Sequence, residues 1–283
     1  MTSTPHIRLG LIGDNIQRSK SPLLHRLAGE MCGLDVRYDI LIPADMGMTF
    51  DEAFESCRTG GYRGINVTYP YKETVVTSVR IDDPRAAAIG ACNTVLFETD
   101  GERGFNTDYS GFASAFRACF PGAAPGIVAM AGAGGVGKAV GFALADLGVS
   151  ELRLFDRDRA KAATLADALA QAMPATPVSI CASIEEAVIG ANGLINCTPA
   201  GMIGHPGTAI PKSLLGSQRW AFDAVYTPVE TEFLTDARAC DLEIMSGYEL
   251  FLHQGIDAFR LFTAQSLDLV ELREILIKTE SVK

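Results

Sequence analysis

At 283 residues the chain exceeds the usual size of one domain and implies two of ordinary dimensions. Hydrophobic content of 48% with 20% charged residues is that of a globular chain and excludes a disordered one. A formal charge of −10 argues against nucleic acid or an anionic membrane as partner, and seven scattered cysteines without a C-x-x-C pair are the usage of a reduced, cytoplasmic protein. In the first half, residues 7–13 read as a strand, 22–31 as a helix, 36–42 as a strand and 50–57 as a helix. Residues 62–67 are a further strand, a helix is expected after Pro70, and 94–97 is a β segment. A helical pattern at 109–119 then runs into the Pro/Gly-rich stretch 120–126, which marks a domain boundary. The N-terminus shows no basic segment followed by an apolar run, so no secretory signal is expected.

The second half opens on the strand 127–131, which delivers directly into Gly132-Ala133-Gly134-Gly135-Val136-Gly137, a G-x-G-x-x-G sequence. A helix at 138–147 follows, Gly148 closes it, and a second strand at 151–155 ends on Asp156. Strand, glycine loop, helix, strand and terminal acid in register are a dinucleotide-binding unit: the glycines allow a tight turn, close approach of a pyrophosphate and close helix packing. Asp156 stands where a carboxylate accepts the hydroxyls of an adenosine ribose, which favours NAD and repels the 2′-phosphate of NADP. Asp158 adds negative charge, whereas Arg157 and Arg159 are phosphate clamps by type, so NAD is preferred and NADP remains possible. Beyond this unit, a helix at 159–173, strands at 178–181, 194–197 and 220–225, and a helix at 231–239 are expected. Two closing helices, 248–262 and 267–277, either complete the second domain or pack back on the first. His6, His25, His205 and His253 form no set with metal-ligand spacing, and no metal is expected.

A nicotinamide site needs a group that handles the proton lost from an alcohol. Lys72 is the candidate, because it ends the segment Gly64 to Lys72, where a buried strand gives way to what reads as a Pro-initiated helix. Asn66 and Thr68 then stand at a strand's carboxyl end, where ligands bind in open α/β sheets. On composition alone, a surface lysine in a helix's first turn is the plainer reading of Lys72. Asp108, opening the helix that follows, is either part of an N-cap or a partner that holds and tunes Lys72. Ser21 before Pro22 reads as an N-cap and N1 pair; the same geometry would let Ser19 and Ser21 receive a carboxylate.

In this order these segments resemble the shikimate dehydrogenase family over essentially the whole chain. The family's S-x-S-P is Ser19 to Pro22, its N-V-T-x-P-x-K is Asn66 to Lys72, its G-A-x-N-T is Gly90 to Thr94 and its N-T-D is Asn106 to Asp108. N-x-T-P-x-G-M follows as Asn196 to Met202, D-x-x-Y-x-P as Asp223 to Pro228, and a helical Gln as Gln254. The resemblance implies an NAD(P)-dependent oxidoreductase that interconverts a cyclic polyol carboxylate, shikimate or quinate, and its 3-dehydro ketone, with hydride passing to C4 of the nicotinamide. It implies that Ser19 and Ser21 hold the substrate carboxylate, that Asn66, Thr68, Asn93 and Gln254 address ring hydroxyls, and that Lys72 and Asp108 are the catalytic pair. It also implies that Thr198, Tyr226 and Gly247 line the cofactor side. The fold it implies has two α/β domains and an interdomain cleft: a substrate domain of residues 1–110 plus 246–283, and a Rossmann domain of residues 111–245.

NADP-dependent members carry an Asn-Arg-Thr type sequence where this chain has Asp156-Arg157-Asp158, which is similar to the NAD-using quinate/shikimate branch, as are residues 205–208 and 230–232. Glu249 replaces the small residue of biosynthetic members, so an aminoshikimate-like ring is an alternative substrate. A dinucleotide-binding protein without activity is the other alternative, and an intact Lys72 and Asp108 argue against it. No heptad or apolar stripe fixes an oligomeric state.

Overall fold

The computed structural model describes residues 6–281; residues 1–5, within which the missing signal was read, lie outside the described residues. The chain runs β1 (His6–Ile12), α1 (Ser21–Met31), β2 (Asp35–Leu41), α2 (Pro43–Met46), α3 (Phe50–Thr59), β3 (Gly64–Val67), α4 (Pro84–Ile89), β4 (Thr94–Glu98), β5 (Gly101–Phe105) and α5 (Thr107–Cys119). It continues as β6 (Ile127–Ala131), α6 (Gly135–Asp146), β7 (Glu151–Phe155), α7 (Arg159–Ala172), β8 (Val178–Ile180), α8 (Ile184–Val188), β9 (Gly193–Asn196), β10 (Trp220–Asp223), α9 (Glu232–Ala239), β11 (Glu243–Met245), α10 (Gly247–Thr263) and α11 (Leu269–Ser281). It divides into two compact units, residues 1–107 with 254–283, and residues 108–253.

The first unit is built on a five-stranded sheet of order β2-β1-β3-β4-β5, in which β2, β1 and β3 are parallel, β4 runs the other way and β5 returns antiparallel to β4. Its core joins Ile12, Leu41, Ile65, Val67 and Val95 of the sheet to Phe50, Ala53 and Phe54 of α3. A capping box between Thr49 and Glu52 satisfies the first N–H groups of that helix. The second unit is a six-stranded parallel sheet of order β11-β10-β9-β6-β7-β8. Every residue of the central strands β9 and β10 is buried, as a parallel sheet covered on both faces demands. The expected pair of α/β domains with a Rossmann-type sheet is therefore the observed fold class.

The helix expected after Pro70 is absent. Residues 69–74 are turns, the Tyr69–Pro70 bond is cis, and one turn of 3-10 helix, Val75–Ser78, follows. The run Thr74-Val75-Val76-Thr77 is β-branched throughout and loses side-chain freedom in a helix, while Val75 is fully buried in the sheet's core. Strand β5 was not expected either, because Gly101-Glu102-Arg103-Gly104-Phe105 has no apolar alternation; it forms as the return arm of a hairpin whose turn carries Asp100-Gly101. Among the described residues no helix is long and apolar enough to cross a membrane.

Candidate functional site

In the parallel sheet the chain order reverses between β6 and β9, so a crevice opens beyond their carboxyl ends, where dinucleotides bind. The glycine loop fills one side of it. Gly132 has φ +97°, and a Cβ there would lie 2.7 Å from the Cys197 carbonyl carbon and oxygen. A Cβ on Gly137 would meet the Gly132 carbonyl oxygen at 2.2 Å, so this glycine seats α6 against the loop. Gly134, by contrast, has nothing within 4 Å of its Cβ position. It caps α6 with no side-chain hydrogen bond, and Gly134, Gly135 and Val136 are partly exposed while Ala133 is buried. An added Cβ would fill the approach to the free N–H groups of a helix start, so these residues fit the pyrophosphate of a dinucleotide.

Asp156 sits at the carboxyl end of β7, partly exposed, with its two oxygens held at 2.8 Å by the N–H groups of Ala133 and Asp158. Each carboxylate oxygen retains a lone pair for a ribose hydroxyl. Asp158 does not simply add charge: its carboxylate caps α7 by accepting the Ala160 N–H at 3.1 Å. Arg157 is exposed beside them. On the other side of the crevice, Thr198 donates its hydroxyl and N–H to Asn196 Oδ1 at 2.7 and 2.9 Å. Tyr226 stacks on Phe251 with centroids 5.1 Å apart, and Gly247 starts α10 so close to the chain after β10 that a Cβ would lie 2.6 Å from the carbonyl oxygens of Ala224 and Val225. Burial pushes the Cys197 thiol up, away from the thiolate and from nucleophilic chemistry.

Asp223 supports this side from beneath. It is fully buried; Oδ1 accepts from Asn196 Nδ2 at 2.9 Å and the Val225 N–H at 3.0 Å, and Oδ2 accepts from the Thr231 hydroxyl at 2.7 Å. Burial pushes its carboxyl up to about 6 despite those bonds. An acid raised in the native state stays protonated there after the unfolded chain has ionised, so this group makes stability fall as pH rises from about 4 to about 6, by roughly 2–4 kcal/mol. Asp223→Asn keeps one oxygen for Asn196 and Val225, and its amide can donate to Thr231. Thermal unfolding between pH 4 and 8 should show a flatter curve for the variant; parallel curves would mean that Asp223 ionises freely in the fold.

In the first unit, register places Asn66 beside Thr94 and Thr94 beside Phe105, so the end of β3, the start of β4 and the end of β5 share one edge. β1 ends at the same edge, where a Cβ on Gly13 would meet the Thr68 methyl at 2.3 Å. Asn93 Oδ1 accepts the Thr107 N–H at 2.7 Å, capping α5, and its Nδ2 donates to Thr107 Oγ1 at 3.0 Å and Gln254 Oε1 at 3.5 Å. Asp108, buried, is the next residue of α5. Asn66 Oδ1 accepts the Tyr38 hydroxyl at 2.9 Å, while Nδ2 donates to Thr94 Oγ1 at 3.0 Å and the Asn93 carbonyl at 3.3 Å. Thr68 and Lys72 are half-buried, and the Lys72 carbonyl accepts the Cys92 N–H at 2.8 Å, which ties the turn to the β4 approach.

Ser21 is not the N-cap of α1. Lys20 occupies that position without a side-chain bond, Ser21 and Pro22 are the first helical residues, and Ser19 Oγ accepts the Ser21 N–H at 3.2 Å. The turn that brings Ser19 N–H to the Ile16 carbonyl adds a residue before the helix. The Ser21 hydroxyl, no longer spent on its own helix, lies 3.2 Å from Ser19 Oγ, so the two form a hydroxyl pair. Residue patterns missed Tyr38, Thr94 and Thr107 as parts of this network, because their partners are 13 to 28 residues away in sequence. The alternation around Tyr38, with its polar end directed at the sheet's carboxyl edge, was the one available signal.

A profile of the shikimate dehydrogenase substrate binding domain matches residues 11–95. The quinate/shikimate dehydrogenase (NAD(+)) of Corynebacterium efficiens is 40% identical over 94% of this chain and 96% of that protein. The quinate dehydrogenase of Corynebacterium glutamicum, solved in complex with NAD, superposes with a TM-score of 0.89 at 36% identity, covering 97% of this chain and all of that one (100%). The shikimate 5-dehydrogenase of Thermus thermophilus, solved with NADP(H) and shikimate, gives 0.84 at 30% identity over 96% and 99% of the two chains. The glycine cradle, the ordered motifs and this full-length likeness agree: the chain belongs to the shikimate dehydrogenase family of NAD(P)-dependent oxidoreductases.

Proposed function

We propose that this enzyme oxidises a ring hydroxyl of quinate or shikimate to the 3-dehydro ketone with NAD as preferred cofactor, and that Lys72 and Asp108 are its acid–base pair. The observation that carries the reading is the polar network in which Asn93 caps the helix that begins Thr107-Asp108 and reaches Gln254, while Asn66, two residues before Thr68 and six before Lys72, bonds Thr94 and the Asn93 carbonyl. Hydroxyl and amide groups suit a polyol, and the Ser19–Ser21 pair with the start of α1 suits its carboxylate. A bound nicotinamide would supply the hydride acceptor for the carbon that bears the hydroxyl. Lys72 Nζ takes the hydroxyl proton in oxidation and returns it in reduction, and the Asp108 carboxylate holds the ammonium form. Asn66 completes the substrate side, and Gly132 to Gly137, Asp156, Arg157, Thr198, Tyr226 and Gly247 hold the dinucleotide.

The test is steady-state oxidation of shikimate and of quinate, each with NAD and with NADP, at mildly alkaline pH. Turnover of either acid with a higher kcat/KM for NAD than for NADP is expected, and the ratio of the two acids assigns the substrate. Absence of turnover with both acids, in protein that binds NADH, would overturn the substrate assignment; a higher kcat/KM for NADP would overturn the cofactor preference.

A further inference from the structure

Strands β9 and β10 end side by side, with Asn196 in register with Asp223, and both residues are fully buried. Each serves the loop beyond its own strand. Asn196 Oδ1 accepts the N–H and the hydroxyl of Thr198 at 2.9 and 2.7 Å, while its Nδ2 donates to the Ala200 carbonyl at 3.0 Å. The Thr198 hydroxyl in turn accepts the Ala200 N–H at 3.2 Å, so residues 196–200 close into one hydrogen-bonded ring. Asp223 Oδ1 accepts the Val225 N–H, and Oδ2 accepts the hydroxyl of Thr231, which caps α9. One bond joins the two side chains, Asn196 Nδ2 to Asp223 Oδ1 at 2.9 Å. Two backbone bonds join the loops again, from the Ala224 N–H to the Asn196 carbonyl at 2.8 Å and from the Ile203 N–H to the Thr227 carbonyl at 3.1 Å. The Asn196 amide has a single orientation, because the Thr198 N–H can only donate and the Ala200 carbonyl can only accept. Asp223 therefore faces an NH2 group, and a residue without an acceptor there would strand a buried donor.

The crevice fixes what these loops face. Asp156 marks the adenosine end at β7 and the start of α6 marks the pyrophosphate, so the other half of a dinucleotide runs over the ends of β9 and β10 in the sheet order β10-β9-β6-β7. Thr198 lies directly against the glycine loop on the β9 side: a Cβ on Gly132 would meet the Thr198 nitrogen at 2.9 Å. We propose that the Asn196–Asp223 pair positions the nicotinamide half of the cofactor, holding the loops 196–200 and 223–226 in place while the glycine loop and Asp156 hold the adenosine half independently. Being fully buried, both are positioning residues that act through the loops. This inference rests on the cofactor reading above, in which Thr198 and Tyr226 hold the dinucleotide.

The test compares NADH with ADP, which carries the adenosine and pyrophosphate of NADH without the nicotinamide riboside. Asp223→Ala and Asn196→Ala are each expected to raise the Kd for NADH roughly tenfold and to leave that for ADP within about twofold of wild type. Asp223→Asn, which keeps an oxygen for Asn196 and Val225, should stay near wild type for both ligands. Equal losses for the two ligands would mean a general loosening of the unit, and no loss would mean that the loops need no brace; either result overturns the proposal. Amide hydrogen exchange in the wild-type protein decides the matter if the alanine variants do not fold. The Thr198 and Val225 N–H groups, whose acceptors are these two side chains, are expected to exchange as slowly as the strand amides, and NADH should slow them more than ADP does. Free exchange in the unliganded protein overturns the brace. Protection that NADH and ADP change alike overturns the cofactor lining on which the inference rests, and the inference with it.

Discussion

Lys72→Ala is expected to lower kcat for oxidation of the ring acid by roughly 10²- to 10⁴-fold, the usual worth of a positioned proton acceptor, with Kd for NADH unchanged. The two halves of that result have separate causes. The dinucleotide cradle consists of Gly132 to Gly137 and Asp156 in the second unit, whereas Lys72 belongs to the first, in a turn fixed by the Cys92 N–H on its carbonyl. Alanine keeps that backbone bond and removes the side chain beyond Cβ, Nζ included. Asp108→Asn, which keeps the size of the side chain and removes its charge, should lower kcat in the same direction if the two act as a pair, and the double variant should then lose less than the product of the single losses. Steady-state kinetics with fluorescence titration of NADH separates the possibilities. A higher KM with wild-type kcat would make Lys72 a binding residue, and undiminished turnover would remove it from the proton path.

The cofactor half was legible because its instructions are contiguous. Within some thirty residues lie the strand, the loop whose Gly132 and Gly137 have no room for a Cβ, and the acid at the end of the next strand. What pattern alone misjudged there was Asp158, read as charge and found as the cap of α7, because N-capping and ribose recognition use the same residue type. The substrate half is assembled from distant segments, so residues could be named there only by likeness to a family, and their partners could not. The turn at 69–74 was misread for a different reason. Proline is a start signal for a helix only when the residues after it favour one, and four β-branched residues do not. Ser21 was misplaced by one position, since Ser-Pro fits N-cap and N1 as well as it fits N1 and N2. That single-residue shift matters chemically: it releases the Ser21 hydroxyl from capping duty and leaves it beside Ser19 Oγ.

Asp156→Ala is expected to reduce the ratio of kcat/KM for NAD to that for NADP by roughly fivefold to several hundredfold, the equivalent of about 1–4 kcal/mol for one like-charge contact near 4 Å. Two effects move the ratio the same way. NAD loses a carboxylate able to accept both ribose hydroxyls, while NADP loses repulsion between that carboxylate and its 2′-phosphate, with the guanidinium of Arg157 next in the chain. A third effect must be kept apart from these. Asp156 also holds the Ala133 N–H at 2.8 Å, so its removal loosens the glycine loop for any dinucleotide. That loss falls on both cofactors and cancels in the ratio, whereas it would confound either constant taken alone. Raising the salt concentration should shrink the wild-type preference and leave that of Asp156→Ala nearly constant, since only the former contains a repulsion that ions screen. An unchanged ratio would place the origin of cofactor choice elsewhere in the crevice and leave Asp156 as a brace for the loop.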